Sequence, residues 1–241
     1  MKLRTVLIGG GVLVLAAVMA YASLQLWSIH TASSEEAGLH TQLLAYKPTI
    51  SPGTTDDNPR LSDMRLTYPD VVGWLSIPHT RIDYPFVQGR DNDEYLHRDM
   101  NQQASAAGTI FLDYRNTPTL TDLNSVIFGH HMRSGAMFAT LRSFTDKSFF
   151  DANPAGTIFL PDATYTVQFI AFAEIKPDDQ IIYDTGLSHD QASAFLAHVK
   201  AVARHYRDVG ATSGDRFITL SSCDYEFANA RMVLIGRLMP L

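Results

Sequence analysis

The chain opens on an almost wholly apolar, uncharged run over residues 6–27, where about 20 residues suffice to span a bilayer as a helix. Lys2 and Arg4 precede the run, and Glu35 and Glu36 follow it. The positive-inside bias therefore leaves the N-terminus in the cytoplasm and everything beyond residue 30 outside. Ala20, Tyr21 and Ala22 have the small-x-small form of a processing site. Apolar character continues past them through Leu24, Leu26, Trp27 and Ile29, which favours an uncleaved anchor over a cleaved signal peptide. Either reading exports the remainder of the chain.

Residues 31–66 are mixed and polar, with a breaker cluster over 51–59. They read as a stalk with a short helix over 38–46. From Val71 onward the pattern changes to short β-type runs bounded by turn residues. Candidate strands are 82–87, 108–113, 125–128, 157–160, 164–175, 216–221 and 232–239. Many short strands without regularly alternating helices argue for a mainly β domain, a closed barrel or a sandwich, and against a doubly wound parallel sheet. One segment differs. Over 188–208, Ala192, Phe195, Leu196, Val199, Val202, Ala203 and Tyr206 recur at steps of three and four, the apolar face of an amphipathic helix. Ser188 or Asp190 can cap its start and Gly210 stands where it should stop. The division expected is an anchor over 1–30, a stalk over 31–66 and a β domain over 67–241.

Composition narrows the function. Hydrophobic residues make up 46% of the chain and charged ones 18%, as in a globular domain. The formal charge of −6 excludes nucleic acid as an expected partner, because phosphate binding needs a basic surface. An exported domain usually spends cysteines in pairs, yet this chain has a single one, Cys223. Such a thiol is either inert and buried or reactive.

The β-type run 216–221 leads directly into Cys223, so the thiol belongs at a strand end, where sites are assembled. A nucleophilic cysteine needs a thiolate, generated by an imidazole or another positive group nearby. His130 stands at the end of another apolar strand, after Gly129, which lets the backbone bend. Arg231, at the start of the strand that folds back after Cys223, offers a permanently charged donor for a developing oxyanion. No carboxylate completes a triad. A metal site is not expected: His130 and His131 are adjacent and point to opposite faces of an extended chain, and His198 and His205 suit a helix surface. No cofactor is called for.

These residues sit within a wider resemblance. Pro69-Asp70-Val71-Val72-Gly73-Trp74-Leu75-Ser76-Ile77-Pro78, Ile82-Asp83-Tyr84-Pro85-Phe86-Val87-Gln88, Asp91-Asn92-Asp93-Glu94-Tyr95-Leu96, Ala107-Gly108-Thr109-Ile110-Phe111-Leu112-Asp113 and Phe128-Gly129-His130-His131-Met132 resemble the sortases, and among them class B. Thr219-Leu220-Ser221-Ser222-Cys223 followed by Arg231 is the most specific match. The resemblance implies a closed eight-stranded β-barrel with peripheral helices, one of them long and placed before the strand leading to Cys223. It implies a membrane-anchored cysteine transpeptidase on the outer surface. Cys223 attacks the carbonyl after a Thr in a substrate's C-terminal sorting motif, and a peptidoglycan cross-bridge amine or a pilin lysine resolves the thioacyl enzyme. By position His130 is the acid/base, with His131 a structural neighbour, and Arg231 assists. The match also implies that Asn92, Leu96, Ile182 and Ser221 line the substrate groove.

Rival readings fit less well. A papain-like protease places its Cys near the mature N-terminus and its His far downstream, the reverse order. An L,D-transpeptidase expects Arg almost directly after Cys, where this chain has Asp224 and Tyr225. An anchored binding module with a silent cysteine would show a thiol unreactive until denaturation.

Overall fold

The computed structural model describes residues 2–49, 58–223 and 230–241. The chain divides into two compact units, Met1–Thr41 and Gln42–Leu241. The first is built on helix α1 (Lys2–Leu43). The polar segment expected as stalk is thus helical through Leu43 and ends in a 3-10 turn, Leu44–Tyr46. Among the described residues, no helix is long and apolar enough to cross a membrane. In α1 the side chains of residues 2–14 and of several later residues, Leu26 among them, lie outside the described ones, and with them much of the run expected to span a bilayer. Most of the breaker cluster also lies outside the described residues.

In the second unit, α2 (Pro59–Thr67) starts on a proline, whose missing N–H is no loss in a helix's first turn. Strands β1 (Val71–Ser76), β2 (Asp83–Val87), β3 (Phe111–Leu112) and β4 (Asn124–His130) follow. Next come the short helix α3 (Lys147–Ala152), β5 (Ala155–Leu160) and the long β6 (Ala163–Ile175). Helix α4 (Ala192–Val202), β7 (His205–Tyr206), β8 (Arg216–Cys223) and β9 (Arg231–Pro240) complete the chain. The sheet order is β5-β1-β2-β3-β4-β8-β9-β6-β7, and β5 also pairs with β6. Eight strands therefore close into a barrel, and β7 lies outside the ring as a short addition to β6. Closure removes exposed edges, which an open sheet would have to protect.

Side chains alternate between two apolar clusters. Ile127 of β4, Ile218 and Leu220 of β8, and Met232 and Leu234 of β9 fill the interior with Phe86, Phe138 and Phe169. Phe217, Val233 and Ile235, one position out of phase, pack outside the ring against Phe195 and Val199 of α4.

Three local expectations change. The run 108–113 yields only the two-residue β3, because Gly108 adopts φ +58 and approaches the Tyr95 and Leu96 carbonyls. The helix expected over 188–208 is shorter. It enters through a 3-10 turn, His189–Gln191, whose Ser188 and Gln191 form a capping box, and it ends at Val202. Beyond it the chain pairs with β6 past the end of β5: Arg204 N–H donates to the Phe172 carbonyl at 2.9 Å and Arg207 N–H to that of Ile170 at 2.7 Å. Sheet hydrogen bonds thus override helical periodicity. Finally, Gly129 marks no bend. It lies inside β4, one residue before the strand's end, without positive φ, and a Cβ there would sit 2.8 Å from the Phe138 ring; close packing requires the glycine.

Candidate active site

Strands β4 and β8 run parallel, with His130 opposite Cys223. Strand β9 runs antiparallel to β8, with Arg231 opposite Cys223. Neighbouring strands lie about 4.8 Å apart, so the three positions form one row across three adjacent strands at the barrel rim. Strand alternation fixes the face. Arg231 shares its side of β9 with Val233 and Ile235, and His130 is out of phase with the interior Ile127. The His130 and Arg231 side chains therefore lie on the outside of the barrel and not in its lumen. Residues 224–229, Asp224 and Tyr225 among them, lie outside the described residues.

His130 is 3% exposed. Its Nε2 lies 2.7 Å from the Leu96 carbonyl oxygen. A carbonyl can only accept, so Nε2 carries the hydrogen and Nδ1 is the nitrogen able to take a proton. Burial pushes the His130 pKa down; the Leu96 bond opposes this, and His97 and Arg231 add to the lowering. Burial thus favours the neutral imidazole. The His97 ring stands 6.3 Å away.

The residues expected to line a groove divide. Leu96 is half-buried and meets the site through its carbonyl. Ser221 is buried, and its hydroxyl pairs with the Tyr183 hydroxyl at 2.9 Å. Asn92 has both ends of its amide engaged: Nδ2 donates to Asp113 Oδ2 at 3.0 Å, and Oδ1 accepts from Tyr114 N–H at 3.1 Å. Ile182 is 0% exposed and packs in the cluster beneath α4, so its side chain faces the core and not a groove.

Sequence reasoning missed Tyr183, whose ring stacks on Phe128 at 6.0 Å. It also missed Asp113 and Arg115. Arg115 donates from Nε and Nη2 to both oxygens of Asp113, at 2.9 and 2.7 Å, and from Nη2 to the Tyr183 carbonyl at 3.1 Å. Burial alone would push the Asp113 carboxyl up, but bonds from Arg115 and Asn92 outweigh it and hold the group below the usual carboxylate range. Asn124 adds a second tie, donating to the Ile182 carbonyl at 2.9 Å while accepting from Thr219. No short motif flags these residues, because their partners are distant in sequence.

A closed barrel whose rim aligns cysteine, histidine and arginine positions fits the cysteine enzymes of acyl transfer. The sortase domain family matches residues 75–239. Sortase B of Listeria monocytogenes is 39% identical over 181 residues, covering 74% of each chain. The crystal structure of Clostridium perfringens sortase B is 32% identical with a TM-score of 0.70, covering 74% of this chain and 98% of that one. A Staphylococcus aureus sortase B–substrate complex is 26% identical with a TM-score of 0.71, covering 76% of this chain and 86% of that one. The chain belongs to the sortase family of cysteine transpeptidases, in class B.

Proposed function

We propose that Cys223 is the nucleophile of this sortase, His130 its acid/base and Arg231 its oxyanion partner. The observation that carries the reading is the register that sets all three in one row, together with the tautomer that leaves His130 Nδ1 basic. The thiol gives its proton to Nδ1 and its sulfur adds to the carbonyl carbon after a Thr of a C-terminal sorting motif. Arg231 balances the charge on the oxygen. The C–N bond breaks, the downstream peptide leaves as an amine with the proton from His130, and a thioester remains. A second amine, from a peptidoglycan cross-bridge or a pilin lysine, attacks the thioester while His130 takes its proton. The released thiolate recovers that proton.

The partners are therefore surface proteins bearing a sorting signal and an amine of the wall or pilus. Leu96 and Ser221 border the groove that receives the motif. Residues 1–30 serve as a single-pass anchor that holds the enzyme at the outer face of the cell membrane, residues 31–66 as a stalk and 67–241 as the catalytic barrel. Supporting the anchor, Leu15, Val18, Met19, Tyr21, Leu24 and Trp27 are all exposed on α1, a set of apolar side chains that calls for an apolar environment.

The test incubates the domain from residue 31 with peptides of the form x-Pro-x-Thr-x and a glycine-based amine, followed by mass spectrometry. Wild type should give a transfer product that Cys223→Ala and His130→Ala abolish. A folded wild-type domain that forms neither product nor thioacyl adduct would instead mark a silent binding module.

A further inference from the structure

We infer that Asp113 is a positioning residue that braces both walls of the active site at once, through Asn92 on the His130 side and through Arg115 on the Tyr183 side. The inference rests on the sortase reading and extends it to residues that never touch the reacting atoms.

The carboxylate is 0% exposed and directly follows β3. Four donors converge on it: the backbone N–H, Nε and Nη2 of Arg115, and Nδ2 of Asn92. From Asn92 a short loop runs to Leu96, pinned on the way by the Asp91 carboxylate, which accepts from the N–H groups of Asp93 and Glu94. That loop ends on the carbonyl that holds His130 Nε2. From Arg115 the path runs through the Tyr183 carbonyl to the Tyr183 hydroxyl on Ser221, two residues before Cys223. One buried charge thus links the segment that sets the tautomer of the base to the segment that lines the strand of the nucleophile. The paths differ in what they reach. The Asn92 branch governs the orientation of an imidazole and belongs to chemistry. The Arg115 branch governs a wall beside Ser221 and belongs to substrate binding, with Asn124 retaining part of that loop when Arg115 is lost.

The test separates the branches with Asn92→Ala and Arg115→Ala, neither of which removes the buried carboxylate itself. Loss of a hydrogen bond to a charged group amounts to about tenfold or more. Asn92→Ala should lower kcat about tenfold with KM within about twofold, and should slow alkylation of Cys223 by iodoacetamide at neutral pH. Arg115→Ala should raise KM about tenfold with kcat within about threefold and leave the alkylation rate at the wild-type value. Asp113→Asn, read at a temperature where circular dichroism shows it folded, should combine both effects. Wild-type values of kcat and KM in both single variants would overturn the inference. So would equal losses in both parameters that track a lowered Tm. A wild-type chain that transfers no peptide would fail the sortase reading instead. In that case alkylation still decides this one: slower in Asn92→Ala than in wild type if the brace stands, equal if it does not.

Discussion

Gly129→Ala tests the link between barrel packing and the rim row. A Cβ at this position would lie 2.8 and 2.9 Å from Cγ and Cδ2 of Phe138 and 3.3 Å from Cγ1 of Ile110. Contacts below 3 Å cannot stand, so the ring or the strand must shift. Phe138 is fully buried among Ile127, Leu141 and Phe144 and has little room to retreat at native packing density. Overpacking of this kind costs about 1–3 kcal/mol. For a domain of this size that lowers Tm by about 2–4 °C per kcal/mol. The next residue is His130, whose Nε2 must stay on the Leu96 carbonyl for Nδ1 to serve as the proposed base. Strand displacement of even a fraction of an ångström therefore lowers turnover as well, by about tenfold or more. The assay pairs differential scanning calorimetry with peptide-transfer kinetics on wild type, Gly129→Ala and Gly129→Ala/Phe138→Leu. The double variant, with room for the methyl group, should recover part of the lost Tm. Gly129→Ala with wild-type Tm and wild-type kcat would refute the close-packing account of this glycine.

Further outcomes follow from the same geometry. Because the His130 pKa lies below its usual 6.5, the acid limb of kcat/KM should fall below that pH, with activity lost as the neutral base is protonated; an NMR titration placing His130 at or above 6.5 would refute it. The sign for stability agrees: the unfolded imidazole binds its proton first, so this group's contribution shrinks as pH falls below the unfolded value. Tyr183→Phe removes the 2.9 Å partner of the buried Ser221 hydroxyl and should destabilise by about 1–3 kcal/mol while raising KM, measured by denaturant melts and kinetics. Phe195→Ala empties the cluster beneath α4 and should cost about 3–5 kcal/mol, read as a lower urea midpoint with unchanged m.

How much of this was legible depended on whether the signal was local. Strands β5, β6, β8 and β9 showed as apolar runs because their alternation is written in consecutive residues. The three positions proposed for catalysis, Cys223, His130 and Arg231, stood out because each ends or begins such a run. Strand β7 was hidden within helical periodicity, since Tyr206 obeys the spacing of α4 while the free edge of β6 beyond β5 claims its backbone. Ile182 carried the wrong orientation for a related reason. The loop around it has no period from which a face could be read, and its burial depends on α4 folding over it. Asp113 was read only as the end of a strand. Its partners, Asn92 and Tyr183, come from segments that only the closed barrel brings together.

The topology also explains why site and stability can be separated. Two parallel strands must be joined by a crossover, and here the chain between β4 and β8 contributes β5, β6, α4 and β7 before returning. His130 and Cys223 meet because both strands point to the same rim, and the β8–β9 pairing returns Arg231 to it. The His130 and Arg231 side chains face outward, whereas the interior cluster that carries most of the apolar burial faces the other way. Arg231, half-buried on the outer face, contributes charge to the site and little to the core. Arg231→Met should therefore abolish transfer and raise the His130 pKa by removing a nearby positive charge. It should change stability by no more than about 0.5 kcal/mol. A large fall in Tm in this variant would mean that the row is part of the barrel's packing and not a site laid over it.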